Sequence, residues 1–218
     1  MDKFEKGLEA LRQKQFDEAL RLFNELIEKD PQDPLGYIHF GDVLLAVGEY
    51  TRAQNFYIKA LQLKELPAPY YSLGTIQYKE GRYEEAAGFF EKALRLGMKD
   101  KDTYFMLGMC FLLMNNPRFA IPYLQRSVEL DPMDIDAKFQ FGLALVKANL
   151  HKEALQYFQQ VIDHDPNHAD AYYNIGAIYV DYYHQPEKAI SFFEKALAIQ
   201  PDHLLAGYGM KMISALDK

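Results

Sequence analysis

Glycine recurs along this chain with a fixed period. Gly7, Gly41, Gly74, Gly108, Gly142 and Gly176 are separated by 34, 33, 34, 34 and 34 residues, so one structural unit is repeated in place of a single shared core. Twelve or thirteen residues after each glycine stands an alanine: Ala19, Ala53, Ala86, Ala120, Ala154 and Ala189. Four residues later comes a large side chain: Phe23, Tyr57, Phe90, Leu124, Phe158 and Phe193. Every period holds two amphipathic helical segments, for example AYYNIGAIYV and PEKAISFFEKALAI, joined by a short polar turn. A small residue on each helix lets the two backbones approach, and the aromatic fills the space beside them. Each unit is therefore expected to be a helical hairpin.

The punctuation agrees with this. Gly48, Gly81, Asn115 and Asn149 fall at the corner between the two helices, where a left-handed backbone is easiest for Gly and tolerable for Asn. In the last repeat Tyr183 is expected at that corner, with one extra residue before a helix that starts at Pro186. Between units, Asp30-Pro31, Asp131-Pro132, Asp165-Pro166 and Gln200-Pro201 stop one hairpin and start the next.

In its glycine, alanine, aromatic and proline positions the pattern resembles the tetratricopeptide repeat family over essentially the whole chain. The six units are 1–33, 34–66, 67–100, 101–134, 135–168 and 169–203. Glu65 and Met98 stand where a proline is missing after repeats two and three. Residues 204–218 are expected to form a capping helix, with LLAGYGMKMISAL covering the apolar end of repeat six. The resemblance implies an all-α fold, a right-handed superhelical solenoid of helical hairpins. It also implies a concave groove lined by the first helix of each hairpin.

Within repeat four, YFMLGMCFLLM runs from Tyr104 to Met114 without a charge. It is too short to cross a membrane, which takes about 20 apolar residues. Tyr104, Leu107, Gly108 and Phe111 are assigned to the packing face, with Cys110 in a small-residue slot. Phe105, Met109 and Leu112, spaced four and three apart, form a second stripe toward the groove, flanked by Met106 and Leu113. The same register predicts three rows: Tyr71, Phe105, Phe139, Tyr173; then Thr75, Met109, Leu143, Ala177; then Tyr78, Leu112, Val146, Val180. The middle row is the most telling, because family members often carry a polar residue there. Seven such side chains exposing about 40 Å² each would make a patch of about 300 Å², comparable with the largest functional patches on monomers. The expected peptide-binding residues are thus Tyr71, Phe105, Met106, Met109, Leu112, Leu113, Phe139, Leu143, Val146, Tyr173 and Asn174. Asp102, Asp136 and Asp170 recur at the second position of repeats four to six and make an acidic rim. An acid in a first helical turn also offsets the helix dipole, so the rim has a structural reading beside the functional one.

Charge limits the partners. A net charge of −7 argues against sequence-independent binding of nucleic acid, which needs surplus Lys and Arg, and against anionic membranes. The opening MDKFEKGLEAL lacks the apolar run of a secretion signal, and a cytoplasmic location is expected. The single Cys110 excludes an internal disulfide. Some family members clamp acidic C-terminal tails of heat-shock chaperones with Lys, Asn and Arg. The matching places hold Phe4 and Leu8, His39, then Ala68 and Ser72, or in repeats four to six Phe105 and Met109, Gln140, then Asp170 and Asn174. The clamp is absent in both registers.

No phosphate loop, paired-cysteine site or nucleophile elbow occurs, so neither an enzyme nor a cofactor is expected. DHDPNH brings His164 and His168 beside Asp163 and Asp165, but across a proline break; a solvated turn is the expectation there, and His39, His151, His184 and His203 carry no signal. The expected function is a non-catalytic adaptor that holds an apolar peptide or helix segment of another protein, with basic flanks for the rim. The competing reading is a structural protein that uses its groove or end to bind another copy.

Overall fold

The computed structural model describes residues 2–216, with the side chain of Leu216 excepted. Met1 at the head of the first expected repeat, and residues 217–218 of the expected cap, lie outside the described residues. The described residues form thirteen α-helices and no strand. They divide into two compact units, Met1–Met114 and Asn115–Lys218.

The first unit contains α1 (Lys3–Arg12), α2 (Phe16–Lys29), α3 (Pro34–Ala46), α4 (Tyr50–Leu63), α5 (Pro67–Lys79), α6 (Tyr83–Arg95) and α7 (Lys101–Leu113). Consecutive helices pack as hairpins, α1 on α2, α3 on α4 and α5 on α6, and each next hairpin docks on the one before. The first helices also touch, α3 with α5 and α5 with α7. The second unit contains α8 (Pro117–Leu130), α9 (Ile135–Lys147), α10 (His151–His164), α11 (Ala169–Asp181), α12 (Pro186–Ile199) and α13 (Leu204–Leu216). Here α9 pairs with α10 and α11 with α12, while α13 lies on α12 and α11.

The periodic glycines have the packing reason inferred from sequence. A Cβ added at Gly7, Gly41, Gly74, Gly142 or Gly176 would come within 2.6 to 2.9 Å of the aromatic ring sixteen or seventeen residues on. Those rings, Phe23, Tyr57, Phe90, Phe158 and Phe193, are fully buried or nearly so, as are the alanines one turn before them.

The ends of the helices follow from local chemistry. Asp2, Asp33, Asp100 and Asp134 cap α1, α3, α7 and α9 by accepting first-turn amides. Asp30, Asp131 and Asp165, each followed by proline, accept from the amide two residues on, at 3.1, 3.1 and 3.0 Å. The hairpin corners at Gly48, Gly81, Asn115 and Asn149 do have positive φ. In the last repeat it is His184 (φ 54°), and not Tyr183, that turns left-handed. The extra residue moves the corner one position on, so the Gln185 amide bonds the Tyr179 carbonyl at 2.9 Å. Lys14 (φ 58°) takes the same conformation between α1 and α2.

Candidate interaction surface

In the first unit the predicted face is carried by α5 and α7. Tyr71, Thr75 and Tyr78 on α5 and Phe105, Met106 and Met109 on α7 are half-buried, and Leu113 is 46% exposed. Leu112 is a correction: it is 6% exposed and belongs to the core, not to the groove stripe. Phe111 and Tyr104, expected as core, are only partly buried. The tyrosines pack with one side and leave the other open. Tyr71 meets Phe90 edge-on at 5.4 Å and Tyr78 meets Tyr83 at 5.4 Å. Burial raises the pKa of both hydroxyls, and the charge of Asp102 adds to the effect at Tyr71. Burial also pushes the Cys110 thiol up to about 12, which keeps it protonated and inert.

The same unit holds a polar cluster that the sequence reading missed. The Tyr57 hydroxyl donates to Asp42 Oδ1 at 2.8 Å, and His39 Nδ1 lies 3.0 Å from Asp42 Oδ2. The His39 ring rests on Phe4 and Phe23, at 5.1 and 5.4 Å. Asp42 occupies the middle-row register, so this cluster fixes a part-exposed carboxylate where repeat three has Thr75 and repeats four to six are apolar. One signal was available: Tyr57 stands where the other five repeats have Phe or Leu.

In the second unit, Phe139, Leu143 and Val146 on α9 and Tyr173, Asn174, Ala177 and Val180 on α11 are all half-buried. Phe139 packs on Phe158 at 5.6 Å and on His168 at 4.5 Å. Tyr173 stacks on Phe193 at 5.9 Å and on His203 at 5.3 Å. The rim residues Asp136 and Asp170 are exposed, as is Asp102 in the first unit. Asn174 is committed locally, its amide donating to the Asp170 carbonyl at 2.7 Å.

Two histidines have work that sequence did not reveal. His168 Nδ1 accepts from the Ala171 amide at 3.2 Å and caps α11. His203, 6% exposed, accepts from the Ala206 amide through Nδ1 at 3.1 Å. That bond places the neutral ring's proton on Nε2, which donates to Asp170 Oδ1 at 3.1 Å. His164 lies on the Gln160 carbonyl at 2.7 Å, so DHDPNH is occupied with helix ends.

Hairpins of this packing, joined at left-handed corners and stacked through their first helices, define a helical-repeat scaffold. Sequence profiles for the tetratricopeptide repeat match residues 10–73 and 142–202, and that of anaphase-promoting complex, cyclosome, subunit 3 matches 79–161. The chain is 43% identical to YrrB, a tetratricopeptide repeat protein with an unusual peptide-binding site, over 87% of this chain and 97% of that one (TM-score 0.84). It therefore belongs to the tetratricopeptide repeat family. MamA shares the fold at 24% identity over 78% of this chain and 93% of that one, with a TM-score of 0.72. So does pilF of Pseudomonas aeruginosa, at 20% identity over 96% of each chain and a TM-score of 0.78. No curated protein matches the chain by sequence. Family membership supports a role as a protein-interaction scaffold.

Proposed function

We propose that the chain is a non-catalytic adaptor of six tetratricopeptide repeats and a terminal capping helix, which holds an apolar peptide or helix segment of another protein against its first-helix faces. The observation that carries this reading is the middle row. Met109, Leu143 and Ala177 are apolar yet half-open, though none of them is needed to fill the buried core. Each has a part-open ring one helical turn before it on its own helix, Phe105, Phe139 and Tyr173, and methionine adapts to varied apolar ligands. Asp102, Asp136 and Asp170 favour a segment with basic flanks. That YrrB has a peptide-binding site supports the same mode of action.

The test is capture of partners from the source cell, followed by titration of the captured partner against Met109→Glu and Leu143→Glu. These variants place a charge in solvent in the free protein, so melting should stay near that of the parent. Under an apolar partner the carboxylate loses its water without a counter-charge, and affinity should fall at least about tenfold. Parent-like affinity in both variants would remove the reading. The self-assembly alternative draws support from Leu204, 86% exposed on α13. Light scattering across concentrations separates the two, since only self-assembly gives a mass that grows with concentration.

A further inference from the structure

The last helix carries more apolar side chain than its packing uses. α13 repeats the register of α11 at an offset of 35 residues: His203 stands for His168, Ala206 for Ala171 and Ile213 for Ile178. The equivalent residues share their jobs, the histidines accepting a first-turn amide through Nδ1 and the alanines and isoleucines being buried. Where α11 meets its own second helix through Tyr172, Gly176 and Tyr179, α13 has Gly207, Lys211 and Ser214. Those three positions are small or polar, as at the finished end of a stack.

The remaining side is not. In the register of the rows, Tyr208 continues Tyr173 and Met212 continues Ala177, while Leu205 replaces the rim carboxylate Asp170. These three are 64%, 50% and 56% exposed. With Tyr173, Ala177 and Val180 of α11 they wall a pocket of about 260 Å³. A cavity of about 150 Å³ already admits benzene, so one aromatic or leucine-sized side chain fits.

The charged residue lining this pocket is Asp181. It is the last residue of α11, where a carboxylate opposes the helix dipole. The first helices of the other repeats end instead in Arg12, Ala46, Lys79, Leu113 and Lys147. Among the described residues Asp181 has no ion-pair partner. Its charge reaches the pocket, because it adds to burial in raising the pKa of Tyr173. An open apolar hole beside an unmatched carboxylate is complementary to an apolar side chain with a cation next to it.

We propose that the pocket between α11 and α13 receives one aromatic or leucine-sized side chain of a partner segment whose neighbouring Lys or Arg pairs with Asp181. This rests on the adaptor reading and assigns that segment one anchor, outside the residues of the three rows on α5, α7 and α9.

The experiment is a titration of the ¹⁵N-labelled full chain with acetylated, amidated dipeptides, followed through the backbone amides. Phe-Lys should move the signals of Ala177, Tyr208 and Gly209, and should bind about 1.4- to fivefold more tightly than Phe-Glu, the range of an exposed ion pair. Gly-Lys should leave those signals in place. Asp181→Asn should erase the preference for Lys, and Ala177→Phe should fill the pocket and abolish the shifts. If Ala177→Phe disturbs folding, Met212→Lys at an exposed position tests the same wall. Signals that stay fixed to the solubility limit of Phe-Lys, or an equal response to Phe-Glu, overturn the proposal. So does movement of the same amides with protein concentration alone, which would make a second copy the occupant. A partner lost by Met109→Glu or Leu143→Glu while the pocket stays silent would leave the adaptor reading standing and remove only this inference.

Discussion

Gly74→Ala in α5 should destabilise the protein although alanine is the better helix former. A Cβ at Gly74 would lie 2.9 Å from Phe90 Cε1 and 3.0 Å from Cδ1 and Cζ. Carbon atoms prefer about 3.5 to 4.0 Å, so the ring must retreat by about 0.5 to 1 Å. Phe90 is fully buried, with Tyr71 edge-on against it at 5.4 Å, and has no free direction to take. Overpacking of this kind costs about 1 to 3 kcal/mol, and the helix propensity of alanine returns about 1 kcal/mol. The net expectation is a loss of about 0 to 2 kcal/mol. Gly88 in α6 of the same unit supplies the control, because a Cβ there meets nothing within 4 Å. Gly88→Ala collects the propensity without the contact and should stabilise by about 0.5 to 1 kcal/mol. The difference between the two variants isolates the steric cost. Urea melts followed at 222 nm measure it, and adding Phe90→Leu to Gly74→Ala should recover part of the loss through a coupling of about 0.5 to 3 kcal/mol. Repeat four already has leucine at that register, Leu124. Equal stabilisation by Gly74→Ala and Gly88→Ala would refute the packing account of the periodic glycines.

Cys110, 0% exposed and with its thiol pushed up to about 12, should resist a disulfide-exchange reagent at pH 8 in the native protein and react fully in urea; rapid native labelling would mean that α7 opens readily. His203→Ala removes the amide cap of α13 and the bond to Asp170, and should cost about 0.5 to 2 kcal/mol in a thermal or urea melt. His203→Asn restores an N-cap acceptor and should recover much of that; an asparagine variant no better than alanine would place the role of His203 in its stacking on Tyr173.

The fold was legible because its determinants are local and repeated. One glycine, one alanine and one large side chain per period fix how two helices approach, and six copies make the spacing unmistakable. The left-handed corners were legible for a similar reason, since Gly and Asn advertise a positive φ. His184 and Lys14 do not advertise it, and their conformation follows from the length of the connection. The stripe on α7 was half legible. Angular position puts Leu112 in line with Phe105 and Met109, but burial also depends on the side chains of neighbouring helices, which the pattern of one helix does not contain. Leu112 is consequently closed while Met109 remains part-open.

The α11–α13 pocket lies beyond the one inserted residue of the last repeat, and the rows read from the sequence stop at α11 without being carried across it. Counting 34 from Tyr173 and Ala177 lands on Gly207 and Lys211, which look like a polar cap and nothing more. Counting 35, as the rebuilt corner at His184 requires, lands on Tyr208 and Met212 and carries two rows onto α13. The capping histidines would have shown the shift, because His168 and His203 are 35 apart and each accepts the amide three residues on. Histidine is an unusual N-cap beside Ser, Thr, Asp and Asn, so it does not mark a helix start to a reader of sequence. α13 therefore has two readings on two faces: it ends the stack with Gly207, Lys211 and Ser214, and it prolongs the apolar rows with Tyr208 and Met212.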